Sequence, residues 1–216
     1  MCKKIDICDQ VPTIVHMVTT DRNRVLELVR EAGIVRVRDV RAQGLHPEHL
    51  RRLAADGLVE RIARGVYALA DAEPTANHSL AQVAKKVPHG VVCLLSALRF
   101  HEVGTQSPFE VWLAIDRRAR KPSLPSPKLR IVRFSGAALK VGVERHRIEG
   151  VPVPVYSVAK TVADCFKYRH KIGLDVALEA LREGLRERRF THDELWKHAK
   201  VCRVASIMRP YLEAMA

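Results

Sequence analysis

From Thr20 onward the apolar positions fall on a helical period. Val25, Leu26 and Val29 share one face, Thr20 supplies an N-cap, and Gly33 closes the segment. Val35–Gln43 reads as a short second helix, ended by Gly44 where a left-handed residue is favoured. A third helix opens at Pro47, whose missing N–H costs nothing in a first turn, with His46 as N-cap and Glu48 beside the positive end of the helix dipole. Leu45 and Leu50 are spaced as a hydrophobic staple, and Leu50, Leu53 and Ala54 face inward. Gly57 breaks the third helix, and two short β-rich runs follow. Leu58–Ile62 and Val66–Leu69 read as two strands joined by the turn Ala63-Arg64-Gly65. Three helices followed by a hairpin predict a winged helix-turn-helix over residues 20–70, with the third helix as the reading helix and the hairpin as the wing.

Asp71–Asn77, with Pro74, forms the core of a linker expected at 71–78, and a larger second domain is expected over 79–216. Ser79–Val87 reads as a helix, Val91–Leu95 as a short apolar run, and Ser96–Glu102 as a helix with Ser96 at its N-cap. Glu110–Ile115 reads as a strand. Arg117–Lys128, with three prolines, is an extended loop, followed by strands at Leu129–Phe134 and Val141–Ile148. Glu149-Gly150 turns the chain into Val151–Val155, which Pro152 and Pro154 mark as an edge strand. Ser157 caps a helix with Val158, Val162, Cys165 and Phe166 on one face. Leu174, Leu178, Leu181 and Leu185 mark the next, and Thr191-His192-Asp193-Glu194 is a capping box opening a third. Arg203–Met215 completes the set. The expected fold class is α/β (α+β): an N-terminal winged helix-turn-helix, then a larger mixed domain with a small antiparallel sheet and several helices. Residues 1–19 are a leader without a structural assignment.

Composition narrows the function classes. Of 216 residues 47% are hydrophobic, which excludes a disordered chain. No apolar run approaches the roughly 20 residues of a membrane span, so no membrane partner is expected. Asp6 and Asp9 ahead of Val11–Val18, with no small-residue cleavage site after it, argue against a secretory signal. Aromatics are only 5%, too few for a base-stacking single-strand binder. The five cysteines are scattered without a Cys-x-x-Cys pair, which fits reduced thiols in a cytoplasmic protein better than a disulfide scaffold or a zinc site. No Gly-rich phosphate loop is present, and no cofactor is expected.

Charge points towards a polyanion. Lys+Arg is 37 against 24 Asp+Glu, a net charge of +13. Residues 117–147 alone hold ten basic side chains against the single acid Glu144. Such a concentration attracts phosphate through direct contacts and counterion release. Within residues 36–64 seven arginines face four acids. Outward positions of the third helix are His46, Glu48, His49, Arg51 and Arg52, suited to base edges. Arg61 and Arg64 lie on the wing, and Arg36, Arg38 and Arg41 flank the second helix. Arg117, Arg118, Arg120 and Lys121 open the basic loop. These thirteen cationic or imidazole side chains, Glu48 excluded, are the expected DNA-binding residues. An alternative is a metal-dependent nuclease built on Glu110 and Asp116, which flank one strand, although no carboxylate-x-lysine step follows them. His101 near Ser96 lacks the elbow a serine nucleophile needs and is expected to be a partly buried polar residue.

Three stretches together resemble a known family. They are Leu53-x4-Leu58-x6-Gly65-Val66-Tyr67, then Leu94-Leu95-Ser96-Ala97-Leu98 with His101, then Val158-Ala159-Lys160-Thr161-Val162-Ala163-Asp164-Cys165-Phe166. The ordered set is similar to AbiEi-type antitoxins of type IV toxin–antitoxin (abortive infection) systems. The resemblance implies a winged helix followed by an α/β antitoxin domain, and autorepression through inverted repeats in double-stranded operator DNA. It also implies a nucleotidyltransferase toxin as a functional rather than stably bound partner. A further alternative is an antitoxin that holds its toxin directly through the C-terminal helices.

Overall fold

The computed structural model describes residues 20–70 and 77–215. The leader at 1–19, with Cys2 and Cys8, and most of the expected linker lie outside the described residues.

The winged helix forms as its apolar pattern dictates. Its elements are α1 (Asp21–Ala32), β1 (Ile34–Arg36), α2 (Val37–Ala42), α3 (Glu48–Ala55), β2 (Val59–Ala63) and β3 (Val66–Leu69). Val25, Val29, Val40, Leu45, Leu50 and Leu53 meet under the sheet, so the three helices close one core. One boundary differs from the sequence reading. Val35 and Arg36 leave the expected second helix and form β1, because β1 pairs antiparallel with β3 from Ile34↔Ala68 to Arg36↔Val66. Local pattern contains no trace of that long-range ladder. The sheet order is β1-β3-β2.

The second part continues with α4 (His78–Lys86), β4 (Val91–Val92), α5 (Leu94–Phe100), β5 (Val111–Asp116), β6 (Leu129–Phe134), α6 (Ala137–Lys140), β7 (Val143–Ile148) and β8 (Val151–Tyr156). The helices α7 (Val158–Lys167), α8 (Arg169–Ile172), α9 (Leu174–Arg186), α10 (His192–Cys202) and α11 (Ala205–Glu213) follow. The α/β class stands, but the sheet is mixed rather than the small antiparallel one expected. Its order is β6-β5-β4-β8-β7, with β5–β6 and β4–β8 parallel. A parallel pair needs a crossover connection of about a dozen residues. The proline-rich basic loop after Asp116 is that crossover, and its Ala119 and Leu124 pack down on the sheet.

β8 is internal, between β4 and β7, and not the edge strand that its prolines suggested. The two-residue β4 meets β8 only at Val92↔Val155. On that side no ladder asks for the N–H groups that Pro152 and Pro154 lack. Ser96 is also not an N-cap. It lies inside α5, where its Oγ accepts the Trp112 N–H (2.9 Å) and donates to the Glu110 carbonyl (3.4 Å), tying α5 to the start of β5. Ser157 and Thr191 cap α7 and α10 as expected, the latter with its capping box.

The layers explain the rest. Alternate residues of β5 enter opposite cores: Trp112 and Ala114 face α5, α7 and α9, whereas Val111, Leu113 and Ile115 face α4. α4 is sandwiched between two sheets. Leu80, Ala81, Val83 and Ala84 share one cluster with Ile34, Val66 and Ala68 of the winged helix and with Val151, Val153 and Val155 of β8. The hairpin tip Glu149–Gly150 presses on the α1–β1 turn. A Cβ on Gly33 would overlap the Glu149 carbonyl, and one on Gly150 would lie 2.5 Å from the Ala32 carbonyl. Both glycines have positive φ, which glycine adopts without steric cost.

Candidate nucleic-acid interface

Pro47, not His46 as expected, is the N-cap of the reading helix, and His46 reaches the first turn from the residue before it. The ring Nδ1 of His46 accepts the Glu48 N–H at 3.2 Å, which satisfies one of the orphan amides of the first turn. Only Nε2 of that exposed ring is left for an outside partner. His49 is half-buried, and its enclosed Nδ1 has no hydrogen-bond partner among the described residues. Arg51 and Arg52 are exposed on the same helix. Arg51 pairs with Glu48 at 3.4 Å across one turn. An exposed pair of that kind contributes about 0.3–0.5 kcal/mol, a contact easily exchanged for a phosphate or base.

Around α2 the arginines differ from one another. Arg36 is half-buried; its Nε is enclosed without a partner, and burial, then the neighbouring Arg38 charge, hold its pKa below the ordinary value. Its backbone N–H donates to Asp39 Oδ2 at 3.0 Å, capping α2. Arg38 is exposed and lies 3.8 Å from Asp39, but that carboxylate is already engaged by Lys85 at 2.7 Å. Burial alone would raise the Asp39 pKa; hydrogen bonds from Lys85 and the Arg36 amide, with their charges, outweigh it and hold the group below its usual range. Arg41, Arg52, Arg61 and Arg64 are exposed and form no ion pair among the described residues. The reading helix, α2 and wing therefore present exposed guanidinium groups, of which Arg41, Arg52, Arg61 and Arg64 are unpaired among the described residues and Arg38 and Arg51 are held in weak surface ion pairs.

The crossover loop adds a second patch. Arg117, Arg118, Arg120 and Lys121 are all exposed. The Arg118 amide donates to Asp116 Oδ1 at 2.8 Å, and Arg133 spans the base of the loop, donating to the carbonyls of Asp116, Arg117 and Ala119. Arg133 thus clips the loop through Nη1 while its charge stays exposed and unpaired among the described residues. Arg130 is also internally engaged, 3.3 Å from Glu110 and 5.1 Å above the Trp112 ring. Both side chains are exposed, and no sequence signal separated them from the loop cations whose side chains make no such internal contact among the described residues. Because Ala119 and Leu124 pack on the cluster that also receives Ile62 and Ala63 of the wing, the loop and the winged helix share one side of the five-stranded sheet.

The carboxylates of the nuclease alternative do not converge. Glu110 and Asp116 stand at opposite ends of β5, about 20 Å apart at strand rise, and both are engaged locally. Among the described residues no group of three or more His, Cys, Asp or Glu side chains could hold a metal ion. His101 is the partly buried polar residue anticipated. Burial lowers its pKa against the opposing bond to the Tyr156 carbonyl, to which its Nε2 donates at 2.7 Å. Sequence reasoning missed Lys85 and Lys86, two adjacent lysines in the last turn of a helix otherwise apolar on its inner face.

The chain is thus a winged helix mounted on an α/β body. Among family models, that of transcriptional regulators described as AbiEi antitoxin matches residues 23–70 of the winged helix. Among solved structures the chain is similar to the RV2827C protein from Mycobacterium tuberculosis. That crystal structure has a TM-score of 0.54 and 14% identity over 84% of this chain and 71% of that one, a likeness of fold alone. No curated protein matches the chain in sequence. Among the described residues no helix is long and apolar enough to cross a membrane.

Proposed function

We propose that this chain binds double-stranded operator DNA as an autorepressor and acts as the antitoxin of a type IV toxin–antitoxin system in the cytoplasm. In this reading residues 20–70 read sequence and residues 79–216 add phosphate affinity. Inverted repeats are the operator form, and a nucleotidyltransferase toxin is a functional partner rather than a stable one. The reading is carried by the exposed arginines of α3, the wing and α2, with Arg41, Arg52, Arg61 and Arg64 free of any ion pair among the described residues, on a winged helix that matches a regulator family. The loop residues Arg117, Arg118, Arg120 and Lys121 on the same side of the sheet support it.

The division of labour has a direct test by fluorescence anisotropy, with the chain's own upstream region and a random duplex titrated across salt concentrations. Arg51→Ala removes a candidate bidentate base contact and weakens the specific duplex by about 1–3 kcal/mol, with a smaller loss on random DNA. Arg118→Ala weakens both duplexes alike and flattens the salt slope by about one. Identical behaviour of the two variants on both duplexes would refute the assignment.

A further inference from the structure

The last turn of α4 holds the winged helix at two points. Lys85 Nζ lies 2.7 Å from Asp39 Oδ2, and its side chain is only 15% exposed. Asp39 in turn caps α2 through the Arg36 amide. Lys86 Nζ donates to the Arg64 carbonyl at the wing turn, 3.0 Å away. The adjacent Gly65 carbonyl accepts the Val37 N–H at 3.1 Å, from the first residue of α2. Both carbonyls of the wing turn are therefore occupied, one by α2 and one by α4. The apolar residues of α4 pack in one cluster with Val151, Val153 and Val155 of β8 and with Ile34, Val66 and Ala68 of the winged helix.

We propose that Lys85 and Lys86 are positioning residues for DNA binding, an inference that rests on the function proposed above. Neither needs to touch DNA. Their two bonds set the wing and α2 against the α/β body, so that Arg61, Arg64, Arg38 and Arg41 stand in a fixed relation to the basic crossover loop. Two patches held in one orientation meet a duplex together, without the entropy of ordering one against the other during binding. Cations in the last turn of α4 also suit its negative dipole end, so the clamp is compatible with the helix that carries it.

Two measurements test this. In the DNA-free chain, hydrogen exchange is followed in wild type and in Lys86→Met. The expected result is exchange about tenfold faster at Val37 and along the wing, with the five-stranded sheet unchanged. Unchanged exchange at Val37 and the wing would overturn the clamp, whatever DNA does. With DNA, Lys86→Met is expected to weaken duplex binding about threefold to tenfold while the salt slope keeps its wild-type value. Arg64→Ala is expected to cost less in the Lys86→Met background than alone, because the wing it stands on is already misplaced. Lys86→Arg, which keeps a donor, restores binding. A salt slope lower by about one in Lys86→Met would make Lys86 itself a phosphate ligand and overturn the positioning role. If wild type binds no duplex, the DNA reading falls, and the positioning role for DNA falls with it, whereas the exchange experiment still decides whether the clamp exists.

Discussion

The sharpest stability test lies at Lys160 and Asp164, one turn apart on α7 and both wholly buried. Lys160 Nζ donates to Asp164 Oδ2 and lies 4.2 Å from the Tyr156 ring centroid and 4.8 Å from that of Phe134. The other carboxylate oxygen accepts the Cys202 thiol at 3.1 Å. Burial pushes the Asp164 pKa up against the pull of the ammonium beside it. Lys160→Met keeps the stem and deletes the charge, which leaves the carboxylate two options. It can remain ionised, at the roughly 3–5 kcal/mol of an unpaired buried charge, or it can take a proton. Protonation at pH 7 of a group whose unfolded pKa is about 3.9 costs about 4 kcal/mol, which caps the loss. In the second case the folded variant binds a proton that the unfolded chain lacks. Stability then falls as pH rises, and the deficit shrinks by about 1.4 kcal/mol for each pH unit of acidification towards 5. Urea unfolding of Lys160→Met across that range measures the slope. Lys160→Met/Asp164→Leu, which replaces both charges by apolar groups, should recover to within about 1.5 kcal/mol of wild type, and it keeps the test alive if the single variant fails to fold. A single variant that loses less than about 1 kcal/mol, or a double variant no better than the single, would refute the idea that this pair matters through mutual charge compensation.

Two further predictions concern pH and the junction. Burial lowers the pKa of both His101 and His198 below the ordinary 6.5, the latter with help from the Lys160 and Lys197 charges, so the unfolded chain binds more protons than the folded one on mild acidification. Wild-type stability should therefore decline as pH falls through 6.5, and His101→Gln should remove part of that slope; a flat profile from neutral pH to below 6 would contradict it. Gly150→Ala puts a methyl group against the Ala32 carbonyl at a φ of +74. It should cost about 2–4 kcal/mol, seen as a lowered melting temperature with faster exchange around Ala32–Val35, and an unchanged melt would show that the tip is not locked to α1.

Much of this fold was legible because local chemistry and tertiary structure agree. The caps Ser157 and Thr191, the staple residues Leu45 and Leu50, and the β-rich run Val66–Leu69 each mark the element that forms. The failures share a different cause: pairing between distant residues overrode a local pattern. Val35 looks helical until β3 takes it into a ladder. β5 and β6 look like a meander until the loop between them proves to be a crossover, since no helix announces it. α7 shows one apolar stripe in sequence, yet Lys160, Thr161 and Asp164 on its other faces are buried too, because neighbouring elements enclose it. At the candidate interface, residue type was readable and availability was not. Arg133 and Arg52 are alike on paper, but one is spent on three carbonyls of its own loop.

The layered junction bears on why the charge is divided as it is. Residues 1–75 carry 12 basic and 11 acidic side chains, too even a balance for strong phosphate attraction by the winged helix alone. The remaining excess lies on the body, where Arg117, Arg118, Arg120 and Lys121 offer affinity but belong to an extended loop, with no reading helix of their own to enter a groove. In the reading proposed above, each part supplies a different share of specific binding. What joins them is α4, whose inner face is common to both sheets and whose last two lysines hold the wing turn and the cap of α2. A flexible linker would couple the two patches only through the effective concentration that its length sets, with the entropy of ordering one against the other still to be lost on binding. A packed helix layer sums them on one duplex, so in the reading proposed here specificity comes from α3 and strength from a body that is held, not tethered, beside it.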